Sequence, residues 1–162
     1  MGLSPQRIEY LMRLAVEEAQ RSMRAGHGGP FGACVIRGDE LIAVGTNTVI
    51  RDNDPTAHAE VNAIRAACAK LGTFWLEGCC LLATAEPCPM CMSAIYWARI
   101  EKVYFGCRRQ EAAKIGFADE DIYRELEKNL PDRRVQFVPD VAADACRELM
   151  ESYLTLPDRR KY

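Results

Sequence analysis

Two short stretches of the chain contain the residue types that bind metal ions. Residues 55–60 (PTAHAE) hold His58 and Glu60, and residues 86–91 (EPCPMC) hold Cys88 and Cys91. One imidazole and two thiolates suit a tetrahedral Zn²⁺ whose fourth position is left to water. Zinc lowers the pKa of such a water toward 7. Glu60, two residues from a ligand, can touch that water and transfer its protons. The pattern predicts one Zn²⁺ per subunit in a catalytic rather than a purely structural setting.

Each half of this pattern is weak alone, and three alternatives compete with an open zinc site. The chain has eight cysteines, so a Cys-x-x-Cys pair can arise by chance. A structural zinc site would close with a fourth protein ligand. A redox-active Cys-x-x-Cys also follows a strand and begins a helix, but a redox function leaves His58 and Glu60 without a role. The conjunction of both halves, in this order, favours the open zinc site.

The surrounding sequence predicts one α/β domain over residues 1–162. Apolar runs of strand length alternate with segments whose apolar residues recur at helical spacing, which indicates helices on both faces of a sheet. Gly38-Asp39 predicts a tight hairpin between the first two strands. We expect a three-layer α/β/α sandwich with a mixed central sheet of about five strands, at residues 33–36, 41–45, 80–84, 102–107 and 135–138.

Helix geometry limits how these elements can position the metal ligands. Thr56 is a candidate N-cap, and residues two apart on a helix point about 200° from each other. His58 and Glu60 can therefore share one zinc only if it lies at the open end of their helix. Cys88 is expected at the N-cap of the next helix, with Cys91 three residues on and on the same face. The positive helix N-terminus favours the thiolates that the metal needs.

Composition narrows the functional classes. The formal net charge is −2, and 27% of the residues are charged, so the chain as a whole does not attract nucleic acid or an anionic membrane. No stretch approaches 18 apolar residues, and no signal-peptide pattern begins the chain. We therefore expect a cytoplasmic protein whose cysteines are thiols and metal ligands. The helix after Cys91 is apolar nearly all round, which suggests a subunit interface.

The residues also carry a family resemblance. The stretches 29–33 (GPFGA), 53–61 (NDPTAHAEV), 86–91 and 94–99 (AIYWAR) together resemble the small guanine deaminases of the cytidine-deaminase superfamily. The zinc motif is typical of zinc-dependent nucleobase deaminases in general, including tRNA adenosine deaminases. The stretches 95–99 and 111–117 (EAAKIGF) point within the superfamily to guanine deaminases. The similarity runs from about residue 30 to residue 123, with a weaker echo at 160–162.

The resemblance implies a role for individual residues. It makes His58, Cys88 and Cys91 the zinc ligands and Glu60 the proton shuttle. It implies that Asn47 hydrogen-bonds a purine substrate, that Phe31 stacks on it, and that Ala59 and Trp97 line the pocket. It makes Glu111 a second acidic residue, often Asp in the family, that assists proton transfer. It also implies a homodimer in which the C-terminal segment crosses to the partner's active site, with Tyr162 at its end.

From the residues alone, more ordinary roles stay open for several of these positions. Asn47 follows a predicted strand and could begin a turn. Phe31 and Trp97 could be core aromatics, and Glu111 a solvated surface charge. A terminal tyrosine is usually disordered, so only the resemblance gives Tyr162 a role.

We expect hydrolytic deamination of guanine to xanthine and ammonia. Guanosine, another aminated purine or a triazine is an alternative substrate, because the sequence does not define the pocket. A tRNA adenosine deaminase is a further alternative, although it would need a basic surface. The non-enzymatic alternative is a zinc-stabilised interaction module, which would hold zinc and release no ammonia.

Overall fold

The computed structural model describes residues 3–161, arranged as two compact units, Met1–Asp119 and Glu120–Tyr162. The first unit contains a mixed sheet of four strands: β1 (Gly32–Arg37), β2 (Glu40–Thr46), β3 (Cys79–Ala85) and β4 (Lys102–Cys107). The strand order is β2-β1-β3-β4. Strand β1 runs antiparallel to both β2 and β3, whereas β3 and β4 are parallel.

The helices of this unit are α1 (Pro5–Arg24), α2 (Val49–Asp52), α3 (Ala59–Leu71), α4 (Pro89–Trp97) and α5 (Arg109–Lys114). Helix α1 packs on one face of the sheet, and α3 and α4 pack on the other. Neighbouring residues of β1 face opposite layers: Cys34 packs with Leu11 and Ala15 of α1, whereas Val35 packs with Ala63 of α3 and Ile95 of α4. This alternation, expected of a strand covered on both faces, confirms the predicted three-layer α/β/α sandwich.

A glycine sets the distance between α3 and the sheet. A Cβ atom on Gly45 of β2 would lie 2.3 Å from the carbonyl oxygen of Ala59 and 2.4 Å from the backbone nitrogen of Ala63. Both distances are far below van der Waals contact, so only glycine lets the first turns of α3 approach β2 this closely. The end of α3 that carries the predicted metal ligand is thereby held directly against the sheet.

The second unit comprises α6 (Glu120–Glu127), a short 3₁₀ helix (Leu130–Asp132) and α7 (Ala143–Leu154). None of residues 120–161 is buried. The prediction of a fifth strand at residues 135–138 is wrong, because these residues lie outside the helices and strands. Their alternating apolar pattern is real, but the described part of this unit has no strand with which they could pair, and Val135 and Val138 are exposed. No helix within residues 3–161 is long and apolar enough to cross a membrane.

Candidate metal centre and active site

The first metal ligand stands at the mouth of α3. His58 is the N-cap residue, with an extended backbone (φ −72°, ψ 156°), and the helix begins at Ala59. Because His58 is not itself helical, its side chain and that of Glu60 can both approach one metal ion at the open end of the helix. The prediction of Thr56 as the N-cap is wrong. The backbone N–H and the hydroxyl of Thr56 both donate to Asp54 Oδ1 at 2.7 Å, which makes a turn before the helix instead.

The two cysteines lie at the start of α4, as predicted. Cys88 is the N-cap, Pro89 occupies the first helical position, and Cys91 is buried in the first turn. Proline is favoured at that position because its fixed φ suits a helix and its missing N–H would be unpaired there. The preceding Glu86 ties this loop to β4 and α5, since its backbone N–H donates to Cys107 O (2.8 Å) and its Oε2 accepts from the Arg109 N–H (3.1 Å).

The three predicted ligand atoms converge. His58 Nδ1 lies 3.5 Å from Cys88 Sγ and 3.5 Å from Cys91 Sγ, and the three atoms lie within 4.8 Å of one another. Zinc–nitrogen and zinc–sulfur bonds of about 2.1 and 2.3 Å in a tetrahedral site would place N and S about 3.6 Å apart. Among residues 3–161, the group of side chains that could bind this metal consists of His58, Cys88 and Cys91, without a fourth His, Cys, Asp or Glu. The donor set therefore fits one Zn²⁺ with a fourth position for water.

Electrostatics around the cluster agree with a cationic occupant. The hydrogen bond with Cys91 and the neighbouring His58 lower the pKa of Cys88 to about 4. The Cys91 thiol has a raised pKa, because it shares a hydrogen bond with Cys88 and is buried. The hydrogen bond with Cys88 also raises the pKa of His58. Without a metal ion, only one of the two cysteines is readily deprotonated. A bound dication would stabilise both as thiolates.

Glu60 lies in the first turn of α3 with 8% of its surface exposed. Burial raises the pKa of its carboxyl group, and the negative charge of Cys88 adds to that effect. A raised pKa makes this carboxyl group easier to protonate, which suits a residue that must first accept a proton and then donate it.

Asn47 is a buried polar residue held by backbone hydrogen bonds. It is buried at the end of β2, and its Oδ1 accepts hydrogen bonds from Gly29 N (3.2 Å) and Val49 N (3.3 Å). A Cβ atom on Gly28 would lie 2.1 Å from that oxygen, so the loop can pass Asn47 only with glycine there. The side-chain Nδ2 has no acceptor within the part of the chain that the structure describes. Asn47 therefore offers hydrogen-bond donors, and its acceptor is already used.

The structure places the remaining predicted residues at varied positions. Phe31 is half-buried and packs edge-on against Phe117, with ring centroids 4.9 Å apart. Ala59 is fully buried in the core between α3 and the sheet. Trp97 is 65% exposed at the last residue of α4, about 12 Å along the helix axis from Pro89. Tyr162 lies outside the described residues.

Glu111 has a local structural partner. Its Oε2 accepts a hydrogen bond from Arg108 N at 2.7 Å and caps the start of α5 on the exposed surface. Sequence reasoning missed Asp119, whose carboxyl has a raised pKa because it is partly buried, with further contributions from Cys88 and Glu86. That influence means Asp119 lies within electrostatic reach of the cluster.

The partly buried His/Cys/Cys cluster and the carboxyl group of Glu60 define a class of enzyme. The chain matches the family model of the cytidine and deoxycytidylate deaminase zinc-binding region over residues 5–107, and it belongs to this family of zinc-dependent deaminases. Within the family, it is similar to the guanine deaminase of Bacillus subtilis (strain 168), with 46% identity over 129 residues, 80% of this chain and 83% of that protein.

A solved structure agrees with that similarity. The X-ray structure of guanine deaminase from Bacillus subtilis matches with a TM-score of 0.90 and 40% identity, covering 95% of this chain and 98% of the other.

A second sequence relative has a different substrate class in its name. The tRNA-specific adenosine deaminase of Aquifex aeolicus (strain VF5) is 46% identical over 97 residues, 60% of this chain and 64% of that protein. These findings confirm the predicted superfamily, the cytidine-deaminase-like fold and the zinc cofactor.

Proposed function

We propose that this chain catalyses the hydrolytic deamination of guanine to xanthine and ammonia. The observation that carries the proposal is the convergence of His58 Nδ1 with two cysteine sulfurs at 3.5 Å, beside the buried carboxyl of Glu60. The preference for guanine rests on the similarity to a guanine deaminase over 80% of the chain. The donor-only face of Asn47 supports it, because the carbonyl oxygen of guanine is a hydrogen-bond acceptor.

The proposed chemistry divides between the metal and the chain. Zinc, held by His58, Cys88 and Cys91, supplies Lewis acidity and lowers the pKa of a water. Glu60 takes one proton from the attacking water and delivers it to a ring nitrogen. It then takes the remaining proton from the new C2 hydroxyl and passes it to the amine at C2. The new C2–oxygen bond and the lost C2–nitrogen bond give xanthine and ammonia. In this proposal, Phe31 stacks on the purine, and Ala59 and Trp97 line the pocket.

A second acidic residue completes the proposed site. Glu111 is the candidate from the sequence, and Asp119 is the candidate that lies within electrostatic reach of Cys88. The substitutions Glu111→Gln and Asp119→Asn separate the two: the residue that assists proton transfer lowers kcat about tenfold or more, since general acid–base groups contribute about 10²–10⁴-fold. If only Glu111→Gln lowers kcat, Asp119 is not the second acidic residue.

An ammonia-release panel tests the substrate. The purified zinc enzyme is assayed with guanine, guanosine, 2-amino-triazines, adenine, cytosine and tRNA, with Glu60→Gln as the matched control. We expect turnover of guanine in the wild type and turnover about 10²–10⁴-fold slower in the variant. Turnover of guanosine, a triazine or tRNA with guanine inert would contradict the substrate. A protein that holds zinc and releases ammonia from none of them would be an interaction module instead.

We also propose a homodimer in which the C-terminal segment, including Tyr162, passes to the partner's active site. Two features support this proposal. None of residues 120–161 is buried, although this unit contains exposed Ile122, Leu126, Leu149 and Leu154. In the first unit, Tyr96 and Trp97 leave one face of α4 apolar and exposed. So large an apolar surface usually marks an interface.

The homodimer has its own test. Light scattering should give twice the 18.2 kDa chain mass, and Tyr162→Ala should raise KM. A monomer with full activity would contradict the exchanged segment. We further propose a cytoplasmic setting, which is supported by the eight cysteines, each of which is outside any disulfide.

A further inference from the structure

Asn62 connects the segment around Asn47 to the segment that leads into His58, and the proposed reaction gives it no role. It lies one turn into α3, and its side-chain Nδ2 faces three acceptors: Thr46 O at 2.9 Å, Thr48 Oγ1 at 2.9 Å and Ala57 O at 3.3 Å. Two N–H groups are shared among three oxygens, so one of the bonds is bifurcated. One side chain thus joins the end of β2 to the segment that enters α3.

The orientation of this amide is fixed by its surroundings. A flipped amide would turn Oδ1 toward the same three oxygens and would lose every one of these hydrogen bonds. The backbone N–H of Asn62 also donates to His58 O at 2.9 Å. Asn62 is therefore bonded to the residue before His58 through its side chain and to His58 itself through its backbone.

The three acceptors lie next to the residues that matter for the site. Thr46 and Thr48 directly flank Asn47, and Ala57 directly precedes His58. Thr48 adds a second link between the two segments, because its N–H donates to Ala57 O at 3.0 Å. Its hydroxyl donates to Asp52 Oδ2 at 2.7 Å while it accepts from Asn62.

Asn47 has little freedom to adjust for itself. Its N–H donates to Phe31 O at 3.0 Å, its carbonyl oxygen accepts from Ser22 Oγ at 3.3 Å, and its Oδ1 is held by two backbone N–H groups. The position of its Nδ2 donors is therefore set by the backbone on either side, and that backbone is held to α3 by Asn62.

We propose that Asn62 is a positioning residue that fixes the distance between the substrate-recognition amide of Asn47 and the metal ligand His58. The inference rests on the proposed function, in which Asn47 binds the substrate. Within residues 3–161, the hydrogen bonds of Asn62 reach no side chain of a metal ligand, so its effect is expected to pass through Asn47. Misplacing a binding group by about 1 Å can cost about 10²-fold in rate.

Steady-state kinetics with guanine test this role. In Asn62→Ala, we expect KM to rise about tenfold, kcat to change less than about threefold, and zinc content to stay at one per chain, because the Nδ2 network serves substrate placement rather than metal binding. Lys70 lies at the far end of the same helix and bonds to Glu40 and Leu41 O, so Lys70→Ala should match the wild type. An unchanged KM in Asn62→Ala would overturn the proposal.

A double-mutant cycle separates positioning from a general structural effect. If Asn62 acts through Asn47, the Asn62→Ala substitution should have almost no further effect on KM in the Asn47→Ala background. Independent, multiplicative effects on KM would overturn the proposal. Thr48→Val removes one of the three acceptors and should raise KM by a smaller factor than Asn62→Ala does. It replaces Asn62→Ala in these experiments if that variant does not fold.

Hydrogen exchange supplies a readout that needs no substrate. In Asn62→Ala or Thr48→Val, the backbone amides of Thr48 and Val49 should exchange at least about tenfold faster, while those of Val35 in the central strand stay protected. Unchanged exchange at Thr48 and Val49 would overturn the inference. If the wild-type enzyme does not act on guanine, the proposed function fails, and the exchange experiment still decides whether Asn62 holds this segment.

Discussion

Gly45→Ala should separate the geometry of the active site from the stability of the fold. A methyl group at this position would lie 2.3 Å from Ala59 O and 2.4 Å from Ala63 N. To restore a contact of about 3.0–3.4 Å with Ala59 O, the first turns of α3 must move away from β2 by about 0.7–1.1 Å. Overpacking of this kind costs about 1–3 kcal/mol. The same movement shifts His58 and Glu60 relative to the cysteines on α4.

The catalytic consequence should exceed the loss of stability. A displacement near 1 Å at the reacting centre costs about 10²-fold in rate, and we expect kcat for ammonia release from guanine to fall by about that factor at a temperature where the variant is folded. Circular dichroism and thermal unfolding establish the folded fraction. Zinc content per chain, measured by atomic absorption, establishes whether the ligands still bind.

Gly72→Ala is the matched control. Gly72 ends α3 at the opposite end with φ +63°, and a methyl group on it would meet nothing within 4 Å, so alanine there costs about 1–2 kcal/mol through backbone strain alone. It should lower the free energy of unfolding and leave kcat unchanged. If Gly45→Ala keeps wild-type kcat, or loses no more activity than Gly72→Ala, the argument that the Gly45 contact positions the site is refuted.

Three further predictions concern the proton shuttle, the metal ion and a buried thiol. Glu60→Gln should keep zinc and fold and lower kcat about 10²–10⁴-fold; near-normal turnover would exclude Glu60 as the proton shuttle. Removing zinc with a chelator should abolish ammonia release and lower the melting temperature, with recovery on adding one equivalent of Zn²⁺; activity that survives complete removal would contradict the metal's role. Burial raises the pKa of Cys34 from 9.0 to about 11, so its contribution to stability is complete below pH 9 and is lost as the pH rises toward 11, on the order of 2–3 kcal/mol. The free energy of unfolding of Cys34→Ala should accordingly fall less between pH 9 and 11 than that of the wild type, and equal slopes would contradict the burial argument.

The metal centre could be predicted from the sequence because local rules determine it. Cys88 and Cys91 lie on one face of a helix start whose position Pro89 fixes, and three-residue spacing leaves few other arrangements. The requirement that His58 lie at the open end of its helix was also a local argument, and the backbone of His58 satisfies it. Strands β1 to β4 were predictable from apolar runs of strand length.

The parts that were mispredicted depend on contacts between distant segments or on competing local bonds. Thr56 has the right side chain for an N-cap, but Asp54 binds its hydroxyl and backbone first. Residues 135–138 have a strand pattern, but a strand needs a neighbour, which periodicity does not supply. Asp119 is recognisable only from its position near Cys88, and the chain between Cys88 and Asp119 must fold before that proximity exists.

Zinc K-edge X-ray absorption on the active protein addresses the central claim most directly, since it reports the metal, its ligand types and their distances together. We expect one zinc per chain, two sulfur ligands at about 2.3 Å and one nitrogen at about 2.0–2.1 Å, with an oxygen of solvent completing the shell. A third sulfur or second imidazole in that shell, or fully active protein without zinc, would contradict an open metal centre built by His58, Cys88 and Cys91.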